Sequence, residues 1–247
     1  MNRAPDTTTR RALVTGGSGG IGAAICRRLA SDGMHVIVHA HRGGDSAQAL
    51  AKEIIADGGS AEAVVFDVTD RSATHTAIGA LLQVGAIQVL VNNAGIHADA
   101  VFPGMDGTQW DRVLDVSLNG FFNVTQPLTL PMLRTRWGRI ISISSVAAVA
   151  GNRGQVNYSA AKGALHAASR SLALELASRG VTVNAVAPGL IDTRMIDGQF
   201  DPAAIKRLVP MQRLGRPQEV ADLVGFLASD QAAYISGQVI SINGAMA

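Results

Sequence analysis

The chain has 247 residues, 47% of them hydrophobic, and a formal net charge of +2. This length suits one large α/β domain, because a chain of this size buries roughly 70–75% of its unfolded surface. The small charge, the 4% aromatic content and the scattered positions of 18 Arg and three Lys argue against nucleic-acid binding.

Residues 1–10 are polar and lack the apolar core of a secretory signal, so we expect a flexible arm before a single domain over 11–247. No apolar run approaches the ~20 residues that cross a bilayer. The single cysteine, Cys26, cannot form an intramolecular disulfide, and the six histidines show no metal-ligand spacing. We therefore expect a soluble, cytoplasmic protein without a metal.

Seven short β-branched runs alternate with longer helical patterns along the chain. Runs that are apolar at successive positions favour strands covered on both faces, and the intervening helices supply right-handed crossovers. The runs lie at 12–15, 36–39, 63–66, 89–92, 139–143, 181–185 and 239–242. They predict a single-domain, Rossmann-like α/β fold, in which a doubly wound sheet of seven parallel strands carries helices on both faces.

Local signals predict where some of these helices begin and bend. Asp45, followed three residues later by Gln48, predicts a capping box at the start of the second helix. A long helix is predicted over 110–137, and Pro127 and Pro131 within it predict a kink or a break.

A glycine-rich loop follows the first strand and leads into a helical pattern. Glycines let the backbone turn sharply and approach a pyrophosphate, while the free N–H groups and the dipole at the helix start attract its charge. Strand, loop and helix occur in the order that a dinucleotide site requires. The predicted cofactor-binding residues of this loop are Thr15, Gly16, Ser18, Gly20, Ile21 and Gly22.

The end of the second strand indicates which dinucleotide is bound. Enzymes that prefer NAD usually carry an acidic residue ~20 positions after the loop, where it holds the ribose hydroxyls. Here His39, Ala40, His41 and Arg42 occupy that region, and the Arg42 guanidinium can pair with a 2′-phosphate. The sequence therefore predicts NADPH as the cofactor, although Arg42 can also be read as an exposed loop residue.

Tyr158 and Lys162 are four residues apart in a predicted helix, so their side chains leave the same face. An ammonium beside a phenol favours the phenolate and lowers the pKa of the tyrosine. The pair therefore indicates an acid catalyst of the kind that a carbonyl reductase needs. Taken alone, this spacing is also common on ordinary helix surfaces.

Together these motifs resemble the short-chain dehydrogenase/reductase family over residues 11–247. Within the family, the chain is most similar to the 3-oxoacyl-[acyl-carrier-protein] reductases. The resemblance rests on Thr15-Gly16 with Gly20 and Gly22, Asn92-Asn93-Ala94-Gly95, Ser145, Tyr158 with Lys162, Pro188-Gly189, and the segments 151–162, 177–184 and 234–238.

The resemblance implies catalytic roles for four residues. Ser145 polarises the substrate carbonyl, Tyr158 donates the proton, and Lys162 lowers the pKa of Tyr158 and holds the nicotinamide ribose. Ser144 is next to Ser145 at a strand end, so only one of the two hydroxyls can face the cleft. Ser117 replaces the asparagine that completes the family's proton relay through a water, and we expect the relay to continue through its hydroxyl.

Further cofactor contacts are implied by the same resemblance. Asp67 is expected at the adenine, although it can also be read as a helix cap, and Thr193 is expected at the carboxamide. The remaining implied contacts are Val68, Asn93, Ala94, Gly95, Tyr158, Lys162, Pro188, Gly189 and Ile191.

Resemblance to the carrier-protein reductases implies that Arg136 and Arg179 receive an acidic acyl carrier protein near the mouth of the cleft, although both can also be read as solvated surface charges. It also implies a homotetramer. The segment 190–210 is richer in apolar residues, such as Met195, Ile196 and Phe200, than an exposed loop. We interpret it as a lid over the substrate or, alternatively, as packing against a neighbouring subunit.

The expected function is NADPH-dependent reduction of a β-ketoacyl thioester carried by acyl carrier protein. One alternative keeps the chemistry and changes the substrate, giving a sugar, polyol or secondary-alcohol dehydrogenase of the same family. A second alternative is a non-catalytic dinucleotide sensor that regulates a partner, although such a sensor has no need of a proton donor.

Overall fold

A computed structural model describes residues 9–193 and 201–247. Within these ranges, seven parallel strands form one sheet in the order β3-β2-β1-β4-β5-β6-β7, which confirms the predicted fold class. The strand order reverses between β1 and β4, where ligands of such sheets bind beyond the carboxyl ends of the strands. The strands are β1 (Arg11–Val14), β2 (His35–Ala40), β3 (Ser60–Val65), β4 (Val89–Asn92), β5 (Gly138–Ile143), β6 (Val181–Pro188) and β7 (Val239–Ile242).

Helices cover both faces of the sheet, because neighbouring residues of a strand point to opposite sides. In β1, Ala12 and Val14 pack with α1, α2 and α9, whereas Leu13 packs with α3, α5 and α7. The helices are α1 (Gly20–Ser31), α2 (Gly44–Ala56), α3 (Arg71–Val84), α4 (Gly107–Leu114), α5 (Gly120–Thr135), α6 (Ala147–Ala150), α7 (Val156–Leu176), α8 (Pro202–Leu208) and α9 (Pro217–Ala228).

The predicted long helix consists of α4, one turn of π-helix over Asp115–Asn119, and α5. Pro127 and Pro131 both lie inside α5, so the helix does not break at either residue, and the alternative of a kink stays a prediction. Leu128 and Met132 follow the two prolines and are fully buried against the sheet. Packing of this face therefore maintains the helix despite the two missing N–H groups.

The capping box predicted at Asp45 and Gln48 is also wrong, because Gly43 is the N-cap of α2 and Asp45 lies within its first turn. A capping box is present instead at the start of α4. The backbone N–H of Gln109 donates to the Asp106 carboxylate at 2.8 Å, and the backbone N–H of Asp106 donates to the Gln109 side chain at 3.0 Å.

Two of the expected segments are only partly described. Residues 1–8 of the expected arm lie outside the described residues, as do Met195, Ile196 and Phe200 of the expected lid. Within 9–193 and 201–247, no helix has the length and apolar character that a bilayer-spanning helix requires.

The turn from β1 into α1 brings two backbone segments into close contact at Gly22. A Cβ atom added at Gly22 would lie 2.2 Å from the Gly16 carbonyl oxygen and 2.7 Å from the Asn93 side-chain nitrogen. Both neighbours are held by hydrogen bonds, since Asn93 Nδ2 donates to the Gly16 oxygen at 3.0 Å. The loop can therefore accept only glycine at this position.

We predict that Gly22→Ala lowers the free energy of unfolding by about 1–3 kcal/mol, as expected for overpacking of a closely packed site. Gly79→Ala is the matched control, because a Cβ at this helical glycine of α3 would have no neighbour within 4 Å. It should raise stability by roughly 0.4–1 kcal/mol. Chemical denaturation of both variants checks the prediction, and equal stabilities would contradict it.

Candidate active site

The glycine loop forms one wall of a cleft beyond the carboxyl ends of β1 and β4. Gly16 has φ +60°, a left-handed conformation that favours glycine, and begins the turn into α1. The cleft has a volume of about 730 Å³. Nine of the expected cofactor residues line it, namely Gly16, Ser18, Gly20, Ile21, Gly22, Asn93, Ala94, Gly95 and Thr193. Glycine-rich backbone at a helix start fits the pyrophosphate of a dinucleotide.

Thr15 and Asn93 hold this cleft in shape. The Thr15 hydroxyl accepts hydrogen bonds from the backbone N–H groups of Asn93 and Ala94, both at 3.0 Å. The Asn93 amide donates to the carbonyl oxygens of Thr15 and Gly16 at 2.9 and 3.0 Å. The Thr15 side chain is itself buried, so it supports the loop, and the direct contact of Thr15 with the cofactor stays a prediction.

Arg42 and Asp67 lie at the ends of β2 and β3, outside the set of residues that line the cleft. Burial acts to raise the pKa of Asp67, but hydrogen bonds from Thr69 and the nearby charges of His41 and Arg42 lower it overall. The helix cap considered for Asp67 is supplied by Asp70, which accepts from the Ala73 N–H.

Four other expected cofactor residues lie at or near the ends of strands. Val68 and Ile191 are each 4% exposed and border other cavities than the glycine-lined cleft, so their cofactor contacts stay predictions. Pro188 is the last residue of β6, and Gly189 after it lines the cavity that contains Tyr158.

Ser145 and Tyr158 line a second cavity of about 330 Å³. Ser145 follows β5, and Tyr158 lies in the first turn of α7. Lys162 is 3% exposed, and its ammonium donates to the Ile143 carbonyl oxygen at 2.8 Å. A Cβ on Gly95 would lie 2.9 Å from the same ammonium nitrogen, so Lys162 contacts the wall of the glycine-lined cleft. Lys162 therefore lies between Gly95 in the wall of the cleft and Tyr158, which lines the second cavity.

The expected lowering of the pKa of Tyr158 by Lys162 is wrong in this structure. Burial raises the pKa of the phenol, Ser145 partly opposes this shift, and the carboxylate of Asp99 adds to it. The Lys162 nitrogen lies 5.8 Å from the centre of the Tyr158 ring, and burial lowers the pKa of this ammonium to about 8. The phenol therefore retains its proton at neutral pH.

Ser144 and Ser145 point in different directions, as the strand alternation predicts. The Ser144 hydroxyl is buried beside α7, where it donates to the Lys162 carbonyl oxygen at 3.1 Å and lies 2.7 Å from the His166 ring nitrogen Nε2. The Ser145 hydroxyl lines the cavity and accepts from the Ala147 N–H at 3.1 Å. Only Ser145 is therefore available to a substrate.

Ser117 is buried in the π-helical turn, and its hydroxyl has no hydrogen-bond partner in the described residues. It borders a small cavity of about 10 Å³ that is also lined by Asn92 and Leu165. Asn119 is exposed and donates to Asp115 at 2.6 Å, so it does not share this position. Lys162 does not line the cavity, so no direct connection to Ser117 is present.

Arg136 and Arg179 do not lie at the mouth of the cleft, and their expected position is wrong. Arg136 precedes β5 and Arg179 precedes β6, whereas Ser145 follows β5. All strands are parallel, so both arginines lie at the amino edge of the sheet, opposite the catalytic cavity. The sequence resemblance carried no information about which edge they occupy.

Polar residues that the sequence analysis missed also line the Tyr158 cavity. Gln155 donates to Asp99 at 2.9 Å and accepts from Asn152 at 2.8 Å, and His97 lies 3.2 Å from Asp99. No spacing in the sequence links residues 97–99 to 152–155, because their contact depends on how the loop after β4 meets the start of α7. Among the described residues, no cluster of His, Cys, Asp and Glu forms a metal site.

Comparison with known proteins agrees with this geometry. The family model described as short chain dehydrogenase matches residues 10–203. Curated relatives include the 3-oxoacyl-[acyl-carrier-protein] reductase FabG of Aggregatibacter actinomycetemcomitans, which is 44% identical and aligns over 95% of this chain and 98% of its own length. The 3-oxoacyl-[acyl-carrier-protein] reductase of Synechocystis sp. is 45% identical, with 97% of both chains covered. Nodulation protein G of Rhizobium sp. strain N33 is 44% identical, with 98% of both covered. The chain therefore belongs to the short-chain dehydrogenase family and is an oxidoreductase.

Proposed function

We propose that this enzyme reduces a β-ketoacyl thioester linked to acyl carrier protein, with NADPH as the reductant. The main support is the position of Ser145 and Tyr158 in one cavity, with Lys162 between Tyr158 and Gly95 of the glycine-lined cleft. Two relatives are 3-oxoacyl-[acyl-carrier-protein] reductases by name, which describes reduction of a 3-oxoacyl group on this carrier. NADPH is favoured over NADH because the loop that follows β2 carries His41 and Arg42, which are both exposed, and no carboxylate.

Under this proposal, NADPH supplies the hydride that is added to the keto carbon. Ser145 donates a hydrogen bond to the keto oxygen, and Tyr158 transfers its phenolic proton to that oxygen, so the ketone becomes a hydroxyl group. Burial raises the pKa of Tyr158, so the phenol is protonated at neutral pH but is a weaker acid than a free tyrosine, and its proton moves only as the arriving hydride makes the keto oxygen strongly basic. Lys162 supplies a buried positive charge at the wall of the cleft, where its ammonium is expected to hold the nicotinamide ribose.

The remaining expectations are parts of the same proposal. They are one domain over 11–247, a homotetramer, a cytoplasmic location and a docking role for Arg136 and Arg179. Both arginines lie at the amino edge of the sheet, opposite the catalytic cavity of the same chain. A sedimentation measurement of the oligomer is the first step in testing this part.

We predict that Tyr158→Phe lowers kcat by at least ~10²-fold, because the variant keeps the ring and loses the proton donor. The dissociation constant for NADPH should stay nearly unchanged, since the glycine-lined cleft is intact. Steady-state kinetics and NADPH fluorescence titration measure the two quantities. A smaller loss in kcat would remove Tyr158 from the proposed role.

We predict that carrier-linked β-ketoacyl thioesters give the highest kcat/KM in a panel that also contains free thioesters, sugars, polyols and secondary alcohols. Each substrate is assayed with NADPH and with NADH, and NADPH should give the higher efficiency because a cation can pair with its 2′-phosphate. A sugar or secondary alcohol as the best substrate would contradict the thioester assignment. Equal or better efficiency with NADH would contradict the cofactor assignment.

We propose that the Ser117 hydroxyl holds a relay water, since it is buried, has no partner among residues 9–193 and 201–247, and borders a cavity close to the roughly 10–15 Å³ that one water requires. Ser117→Ala should lower kcat and change its pH dependence, whereas Ser117→Asn should retain the original profile. Ser169→Ala is the control, because its hydroxyl is also buried and unpartnered but does not border this cavity. An unchanged turnover of Ser117→Ala across pH would refute the role.

A further inference from the structure

His39 is a buried histidine that joins the ends of three elements next to the cofactor cleft. It is the fifth residue of β2 and is 1% exposed. The backbone N–H of Gly16, in the glycine loop, lies 3.1 Å from its ring nitrogen Nδ1. The other ring nitrogen, Nε2, lies 2.9 Å from the carbonyl oxygen of Phe66, which follows β3. Each ring nitrogen of His39 therefore has a backbone hydrogen-bond partner.

These two partners define the protonation state of the ring. A backbone N–H can only donate, so Nδ1 must be unprotonated, and a carbonyl oxygen can only accept, so Nε2 must carry the hydrogen. Burial lowers the pKa of His39 to about 4 and nearby His41 adds to this shift, whereas Phe66 and Asp67 oppose it. The neutral ring with hydrogen on Nε2 is the form that satisfies both contacts.

The same contacts determine the direction of the first loop amides. Gly16 N–H donates to the His39 ring, and Gly17 N–H donates to the His39 carbonyl oxygen at 2.8 Å. On its other side, the Gly16 carbonyl oxygen accepts from Asn93. The first two amides of the loop thus point toward β2, and the later amides at the start of α1 are left for an anion.

We propose that His39 is a positioning residue for the dinucleotide, which acts by accepting the Gly16 N–H and so holding the glycine loop in its anion-binding conformation. The inference rests on the proposed function, because it assumes that this cleft binds a nicotinamide dinucleotide. A histidine that served packing alone would need its aromatic contact with Phe66, where the ring centres are 4.1 Å apart, but not the acceptor on Nδ1.

Two substitutions separate the two ring nitrogens. His39→Asn keeps an acceptor at the position of Nδ1 and loses the contact with Phe66, whereas His39→Gln extends its amide toward Phe66 and loses the acceptor for Gly16. NADPH fluorescence titration should give a dissociation constant for His39→Gln that is roughly tenfold higher than wild type, since a buried N–H is left unpaired. His39→Asn should remain close to wild type.

His35→Gln is the matched control on the same strand. His35 lies at the opposite end of β2, where its ring contacts Ser60 at 2.7 Å and Glu62 at 3.1 Å, far from the loop. The His35→Gln substitution should therefore leave the dissociation constant for NADPH unchanged. Thermal unfolding of all variants is recorded in parallel, because a packing role would lower the melting temperature of both His39 variants without separating their dissociation constants.

A second measurement needs no substitution. The ¹⁵N NMR shifts of the His39 ring in the wild-type protein should indicate hydrogen on Nε2 at neutral pH, and a protonated ring or hydrogen on Nδ1 would overturn the inference. Equal NADPH affinity of wild type, His39→Asn and His39→Gln would overturn it too, while leaving the proposed function intact. Failure of the wild-type protein to bind NADPH or NADH would overturn both.

Discussion

The hydrogen bonds between Thr15 and the segment after β4 are the interaction on which the site depends. A glycine-rich loop has few side chains with which to stabilise its own conformation, so its shape must come from neighbouring groups. Thr15 accepts two backbone N–H groups from Asn93 and Ala94, and Asn93 returns two hydrogen bonds to the loop. This exchange joins the ends of β1 and β4 at the point where the strand order reverses. The cleft is therefore largely formed by the protein before any ligand enters it.

The sheet was predictable from sequence because buried parallel strands leave a direct signal, a short run of apolar residues between helical patterns. All seven predicted runs are strands. Predictions based on single residues were less successful. Pro127 and Pro131 remain inside a helix because Leu128 and Met132 pack on the sheet. The capping box predicted at Asp45 is absent because α2 already begins at Gly44. Tertiary packing decides both cases, and a local pattern contains no information about it.

Within the site, residues that belong to continuous motifs were found and those that meet across the fold were not. Alternation at a strand end predicted that only one of Ser144 and Ser145 faces the cleft, and the family resemblance selected Ser145, which lines the cavity. The pKa of Tyr158 could not be predicted in the same way, because it depends on burial and on Asp99 from a distant loop. The sequence analysis considered His39 only as one of the residues at the end of β2, a region that lacks an acidic side chain. Its two contacts come from separate segments that no sequence spacing connects.

The π-helical turn at Asp115–Asn119 has a consequence for how this part of the chain is compared with its relatives. Such a turn contains one more residue than an α-helical turn, and each residue of a regular helix advances about 100° around the axis. The side chains of α5 are therefore rotated by about that angle relative to a helical wheel drawn from α4, which packs on α7 while α5 packs on α3 and the sheet. A relative that lacked one residue here would keep an unbroken helix and present a different side of it to the core. An insertion or deletion of a single residue in this turn thus amounts to a change of orientation for the sixteen residues that follow.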